Sequence, residues 1–275
     1  SDASDTGFRP EQTIWLADTS RLNAAGVAKT YVDGKGLIQG VVLNGGQVSL
    51  TAKKGYVIQE SGSEIDVSGA STVLLGTRNV DGGIGQAVAS DAGSVTISAR
   101  EGVLMDGAVV GRAGSMVSRG GEYSVAVDRT EGNSIVRTGG NTALETTLGF
   151  SLYPTVDREM VVRDSGTSVP AGLRAGDVVP LFENGKAYVN LGELERQGFE
   201  RFSLKSDSRL VFKGPINVGQ DRDLRSLSLS AQTIASLDGN PVNMKARYVS
   251  LGNTTVEQNQ LAAAGAAAQL NVQAD

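Results

Sequence analysis

The chain has 275 residues, a formal net charge of −5 and a pI near 5.0, which argues against a nucleic-acid binder with a basic stripe. It contains neither cysteine nor histidine, so disulfides, thiolate or imidazole metal sites, a Cys nucleophile and His-dependent catalysis are unavailable within it. Glycine accounts for 36 residues, about 13 % against a usual level of about 7 %, while aromatic residues make up only 5 %. That balance fits a narrow core with many corners better than the wide core of a compact enzyme. The apolar fraction of 40 % is enough to bury a core, which excludes wholesale disorder. No apolar run approaches the roughly 18 residues of a membrane span. Ser1–Asp5 lacks the basic and apolar regions of a signal peptide, so we expect a cytosolic chain or the interior of a longer one.

Residues 1–12 are polar and read as an incoming segment. Ile14, Trp15, Leu16 and Ala17 start a first coil of strands, and Leu37–Ile38 with Val41–Leu43 belong to the next. Gly45–Ala70 is the clearest unit. Val48 and Leu50 alternate with polar neighbours, Val57 and Ile58 follow Gly55, and Ile65 and Val67 alternate again. Each piece reads as a short strand with one buried face. Asn79–Asp91 is Gly-rich and reads as a flexible loop leaving a corner. The unit then returns: Val48–Ile58 aligns without a gap to Val95–Met105, and Gly55 and Gly102 fall at one corner.

The pattern lapses between Glu122 and Arg201. Leu181–Val189 contains Asn184-Gly185 between two apolar pieces, a type I′ hairpin signal. Asn190–Phe199 reads as a two-turn helix, with Asn190 as its cap, Glu193 three residues later and Gly198 as its stop. We therefore expect residues 1–121 to form coils, 122–200 an insertion with a hairpin and short helix on the side of the stack, and 201–275 further coils. Leu261–Ala268 reads as a loop, and the chain stops at Asp275 in mid-repeat without a polar cap, so the last part reads as truncated.

Phe202 to Leu227 spans 25 residues, Leu227 to Val249 spans 22, and Val249 to Leu270 spans 21. Val48 to Val95 spans 47, which Val73 divides into 25 and 22. A period of about 21–25 residues with three strand-like pieces predicts an all-β solenoid, a right-handed parallel β-helix with an extra-helical insertion. An antiparallel sandwich also gives evenly spaced short strands, but the near-constant register weighs against it.

Gly45-Gly46-x-Val48-x-Leu50-x-Ala52, Gly62-Ser63-x-Ile65-Asp66-Val67-Ser68-Gly69-Ala70 and Gly93-Ser94-Val95-Thr96-Ile97-Ser98-Ala99 resemble the filamentous-haemagglutinin-like exoproteins of bacterial two-partner secretion. Leu194-x-x-x-Gly198-Phe199-x-x-Phe202-x-Leu204-x-Ser206 is similar to the interior of such proteins. The resemblance covers about 40–120 and 190–275, and its repeat motifs specify architecture far better than ligand. The Asn-Pro-Asn-Gly type of motif that marks the family's amino-terminal secretion domain is absent. The resemblance implies an internal piece of a rod, secreted to the Gram-negative cell surface with an outer-membrane transporter as partner. It further implies a non-enzymatic role in adhesion, biofilm formation or contact-dependent toxin delivery, toward an unknown host-cell or bacterial receptor or glycan.

The alternative is a β-helix polysaccharide lyase or hydrolase. Its carboxylates would come from Glu60, Glu64, Asp66, Glu101 and Asp106, and glycoside hydrolysis needs two of them about 5–9.5 Å apart. Asp66 is better read as facing solvent or tying down the corner at Ser68-Gly69. Asp81 and Asp91 lie in loops without an Asp-x-Asp-x-Asp-Gly pattern, and Gly83-x-Gly85 lacks a third glycine, so we expect no metal and no cofactor. Phe150, Tyr153, Phe182 and Tyr188 are the candidate ligand-binding residues of the insertion, for stacking on a glycan. Packing against the wall of the stack is the competing role for all four.

Overall fold

The computed structural model describes residues 12–79, 82–127, 157–220, 224–254 and 268–274. The described residues form an all-β structure with several parallel sheets. The six-stranded sheet contains β5 (Gln47–Ala52), β10 (Ser94–Ala99), β13 (Gly121–Val127), β16 (Phe199–Ser206), β19 (Ser226–Ser230) and β22 (Val249–Gly252), in that spatial order. The seven-stranded sheet runs β1 (Ile14–Leu16), β6 (Tyr56–Gln59), β11 (Gly102–Met105), β15 (Lys186–Asn190), β14 (Glu159–Arg163), β17 (Arg209–Phe212) and β20 (Thr233–Ser236). A third side carries two smaller parallel sheets. One is β2 (Arg21–Asn23), β7 (Glu64–Asp66) and β12 (Ala108–Val110); the other is β18 (Ile216–Val218), β21 (Val242–Ala246) and β23 (Leu270–Ala274).

The chain visits these sides in a repeated order. From β5 it passes to β6 and β7, then to β10, β11 and β12, and later to β16, β17 and β18 and to β19, β20 and β21. Alternation explains the register. Val48, Val95, Tyr123, Phe202, Leu227 and Val249 pair in one row, and Leu50, Ile97, Val125, Leu204, Leu229 and Leu251 in another. Both rows face inward, Ile97 and Val125 with no exposure at all and Leu251, on the edge strand β22, exposed. The residues between them, among them Ser49, Thr96, Ser124, Ser203, Ser228 and Ser250, share the opposite face. Glycine is required where corners touch: a Cβ on Gly93 would overlap the carbonyl oxygen of Gly46, and one on Gly45 that of Val67.

Several expectations need correction. Val73 does not divide the 47-residue circuit, because it lies in β8 (Ser71–Asn79), which pairs antiparallel with β9 (Gly82–Ala89). The Gly-rich stretch read as a loop is therefore mostly the return strand of a hairpin. A second hairpin, β3 (Ala28–Val32) with β4 (Ile38–Val42), occupies the same corner one circuit earlier. Leu270 does not stack on Val249; it pairs with Val242, on the third side. Its alternation matched the wrong sheet because alternation specifies a face and not a neighbour.

The described parts of 122–200 are not peripheral. β13 is an interior strand of the six-stranded sheet, and β14 and β15 are interior strands of the seven-stranded one. The sequence period lapses because Tyr123 and Phe202, neighbours in space, are separated by long connections. Such connections lengthen at small entropic cost. Asn184-Gly185 forms no hairpin. Asn184 has φ −59° and only Gly185 has positive φ, at +77°, whereas a type I′ turn needs both positive. A 3₁₀ turn, Leu181–Glu183, precedes β15, which is claimed by parallel neighbours on both edges. The short helix is where the sequence places it, α1 at Leu191–Arg196, with Gly198 at φ +98° beyond its end. Asn190 makes no side-chain cap bond. α1 lies on the third side between β12 and β18: Gly111 N–H donates to Gln197 O at 3.1 Å, and Gly219 N–H to Glu195 Oε1 at 2.8 Å. Its Leu191 and Leu194 enter the core.

The inward rows carry the stability. Ile97→Ala removes a fully buried side chain and is expected to cost about 2–5 kcal/mol in urea unfolding, whereas Thr96→Ala on the outward face costs less than about 0.5 kcal/mol. Equal losses at both positions would mean that the faces are assigned wrongly.

Candidate functional site

Residues 164–185 leave the stack between β14 and β15 and fold back as a strap over the outer face of the seven-stranded sheet. The face is apolar there because β6 and β11 are hydrophobic on both sides. Tyr56, Ile58 and Leu104 are fully buried against Val179, and Trp15, Val169, Leu173 and Tyr188 close the cluster. The strap is fastened at both ends. Asp106, just after β11, accepts hydrogen bonds from Ser168 N–H (2.6 Å), Ser168 Oγ (2.8 Å) and Val169 N–H (3.1 Å). At the other end Tyr56 Oη donates to Asn184 Oδ1 at 2.5 Å, and Gly185 N–H donates to Glu101 O at 2.8 Å.

A polar network lines the base of the strap. Tyr188 Oη donates to Glu183 Oε2 at 2.8 Å, and the Arg163 guanidinium carbon lies 4.9 Å from the centre of the Tyr188 ring. Arg163 Nε donates to Asn190 Oδ1 at 2.7 Å. Asn190 Nδ2 in turn donates to Gly166 O at 2.7 Å and Glu193 Oε2 at 3.3 Å. Burial pushes the Tyr188 phenol up from its ordinary range, and the Glu183 carboxylate adds to the shift. Burial also lowers the Arg163 guanidinium, an effect opposed chiefly by the charge of Asp106. A cavity of about 30 Å³ opens between Met105, Tyr123, Tyr188, Asn190, Glu193 and Gln197. It has room for a water or two and none for a sugar ring. Deeper in, Arg158 is completely buried and its Nη2 lies 3.0 Å from Glu101 Oε2.

Of the four candidate ligand-binding aromatics, Phe150 and Tyr153 lie outside the described residues. Phe182 is exposed on the strap beside Leu181 and Val178. Tyr188 is half-buried beneath Arg163 and tied to Glu183, which places it in the packing role. The candidate carboxylates each hold a structural partner. Glu60 accepts from Trp15 Nε1 and from Asp18 N–H, both at 2.9 Å. Glu64 meets Arg21, and Asp66 Oδ1 accepts from Ser68 N–H at 2.8 Å, tying down its corner. Glu101 meets Arg158 inside, and Asp106 clasps the strap. Asp91 Oδ1 accepts from Arg119 N–H at 2.7 Å. Asp81 lies outside the described residues, and among these residues no three potential ligands cluster for a metal ion. The clasp itself has no signal in the sequence, since Asp106 and Ser168 are 62 residues apart. No family model, curated protein or solved structure matches the chain.

Two outcomes test this arrangement. Asp106→Ala removes three hydrogen bonds, so trypsin cleavage after exposed Arg174 should accelerate by about tenfold or more while global stability falls by about 1–3 kcal/mol. An unchanged cleavage rate would mean that the clasp does not hold the strap. The second concerns alkali. Tyr56 and Tyr123, like Tyr188, have phenols raised above the ordinary value, chiefly by burial. Above about pH 10 the unfolded chain has lost these protons and the folded chain keeps them, so stability is intact below that pH and falls as pH rises further. Tyr56→Phe should flatten that fall, as read by urea midpoints across pH 9–11.

Proposed function

We propose that the chain is a segment of right-handed parallel β-helix, with about 21–25 residues in each plain coil, inside a large secreted surface exoprotein of the filamentous-haemagglutinin-like kind. The observation that carries this reading is the repeated visit to three sides in one order, with parallel pairing in register at each return. Parallel crossovers are overwhelmingly right-handed, which supports the hand. Each coil adds about 4.8 Å of length, so six stacked strands extend a rod by about 30 Å. In this reading the segment is not an enzyme. It supports adhesion, biofilm formation or toxin delivery by the exoprotein, reaches the Gram-negative surface through an outer-membrane transporter, and leaves the receptor to be identified. Among the described residues no helix is long and apolar enough to cross a membrane.

The test is to express the complete reading frame in a Gram-negative host and probe intact cells. External protease should remove an epitope placed in the strap, and in-frame deletion of residues 12–274 should reduce attachment to surfaces. An epitope protected until the cells are lysed, together with unchanged attachment, would overturn the proposal.

A further inference from the structure

Three excursions leave one corner of the stack on successive circuits: the β3–β4 hairpin, the β8–β9 hairpin and the loop 111–120. Their bases are bonded to one another. Ser90 Oγ donates to Leu43 O at 2.9 Å, Gly45 N–H donates to Asp91 O at 3.0 Å, and Gly114 N–H donates to Ser90 O at 2.9 Å. Among the described residues, more than half of the exposed large apolar ones lie on these excursions or at their bases, among them Tyr31, Val32, Val41, Val73, Met116 and Val117. Single exposed apolar residues need no explanation, but a concentration at one corner does. Met116 and Val117 are the extreme case, adjacent at a loop tip and 104 % and 94 % exposed.

The charges at this corner differ from those of the whole chain. Among the described side chains of the three excursions and their bases stand Lys29, Lys35, Arg112 and Arg119 against two acids, Asp33 and Asp91, in a chain of net charge −5. All four cations are exposed, but Arg112 Nη2 donates to Gln197 Oε1 at 2.7 Å and Arg119 Nε lies 3.9 Å from Asp91 Oδ2, so Lys29 and Lys35 are the two turned to solvent. Asp33 ties down its own turn: its Oδ1 accepts from Leu37 N–H (2.9 Å) and Lys35 N–H (2.8 Å), which close the hairpin turn. Lys29 and Tyr31 are two apart on one face of β3, and Arg112 and Arg119 flank Met116–Val117. Protein–protein interfaces are depleted in lysine. A bilayer surface instead accepts this mixture together, with aliphatic tips at the acyl boundary, tyrosine at headgroup level and long cations on phosphates.

We propose that this corner is a ridge that rests on a lipid surface bearing anionic phosphate headgroups. Met116 and Val117 enter the boundary between headgroups and acyl chains, while Lys29 and Lys35 meet the phosphates. The site is independent of the strap and adds a contact surface to a segment otherwise read as a spacer.

The test is flotation of the whole chain with vesicles of phosphatidylcholine alone and of equimolar phosphatidylcholine and phosphatidylglycerol. Binding is expected to the anionic vesicles only, weakening as salt rises. Lys29→Ala and Lys35→Ala should each lower affinity about fivefold, and Met116→Ser with Val117→Ser by about tenfold or more. Leu181→Ser with Phe182→Ser, also exposed but on the strap, should leave binding unchanged, and circular dichroism should confirm that every variant is folded. The idea fails if anionic vesicles leave the chain unbound, or if the Met116/Val117 pair can be replaced without effect. It also fails if the same substitutions abolish self-association in the absence of vesicles, which would assign the corner to a protein contact.

Discussion

The constraint on which everything else depends is that a parallel strand finds its hydrogen-bond partners only in other circuits of the chain. No parallel strand here can be completed by a tight turn, so each interior strand is met on both edges by segments tens of residues away. Val95 needs Val48 on one side and Tyr123 on the other, and the connections between them have to close at matching lengths. Glycine-rich corners make that closure feasible. Where Gly45, Gly46 and Gly93 meet, backbone touches backbone and no side chain fits. The high glycine content is thus a consequence of stacking circuits at strand spacing.

Within that frame the three sides have different chemistry. The inward rows are Val, Leu, Ile and Phe, and they supply the hydrophobic term. The outer face of the six-stranded sheet is mostly small hydroxyl residues and needs no cover. The outer face of the seven-stranded sheet is apolar at Tyr56, Ile58 and Leu104, and so requires the strap that Asp106 and Tyr56 fasten. Circuit length varies for the same reason. Among the described residues, extra ones enter as hairpins at a corner or as the strap, where they do not disturb the ladder. Even α1 is accommodated, because a two-turn helix with two buried leucines occupies the third side between two sheets.

Much of the fold was legible because alternation is a local signal. The pairing of Val48–Ala52 with Val95–Ala99, of Phe202 with Leu227 and of Leu227 with Val249 follows directly from the repeated Val-Ser-Leu-Ser type of pattern. The misreadings share one cause. Val73 and Leu270 alternate as stacked strands do, yet one belongs to a hairpin and the other to a different side. Asn184-Gly185 carries a strong local turn preference that the long-range pairing of β15 overrides. The candidate site was legible only in part. Tyr188 belongs to the network over which the strap closes, but Asp106, Arg163 and Asn190 enter it through contacts that no spacing announces.

Sequence alone therefore determined which residues face inward, that the strands are short, and that they recur as all-β elements. These properties depend on residue type and on a period of two, both readable within six residues. Only the tertiary structure decided which circuit neighbours which, that residues 121–127, 159–163 and 186–190 belong to the sheets, and that an apolar outer face is closed by a strap. A face is chosen by a side chain's own solvation. A neighbour is chosen by competition among all strands of similar pattern, and connection length, corner backbone and long-range hydrogen bonds settle that competition.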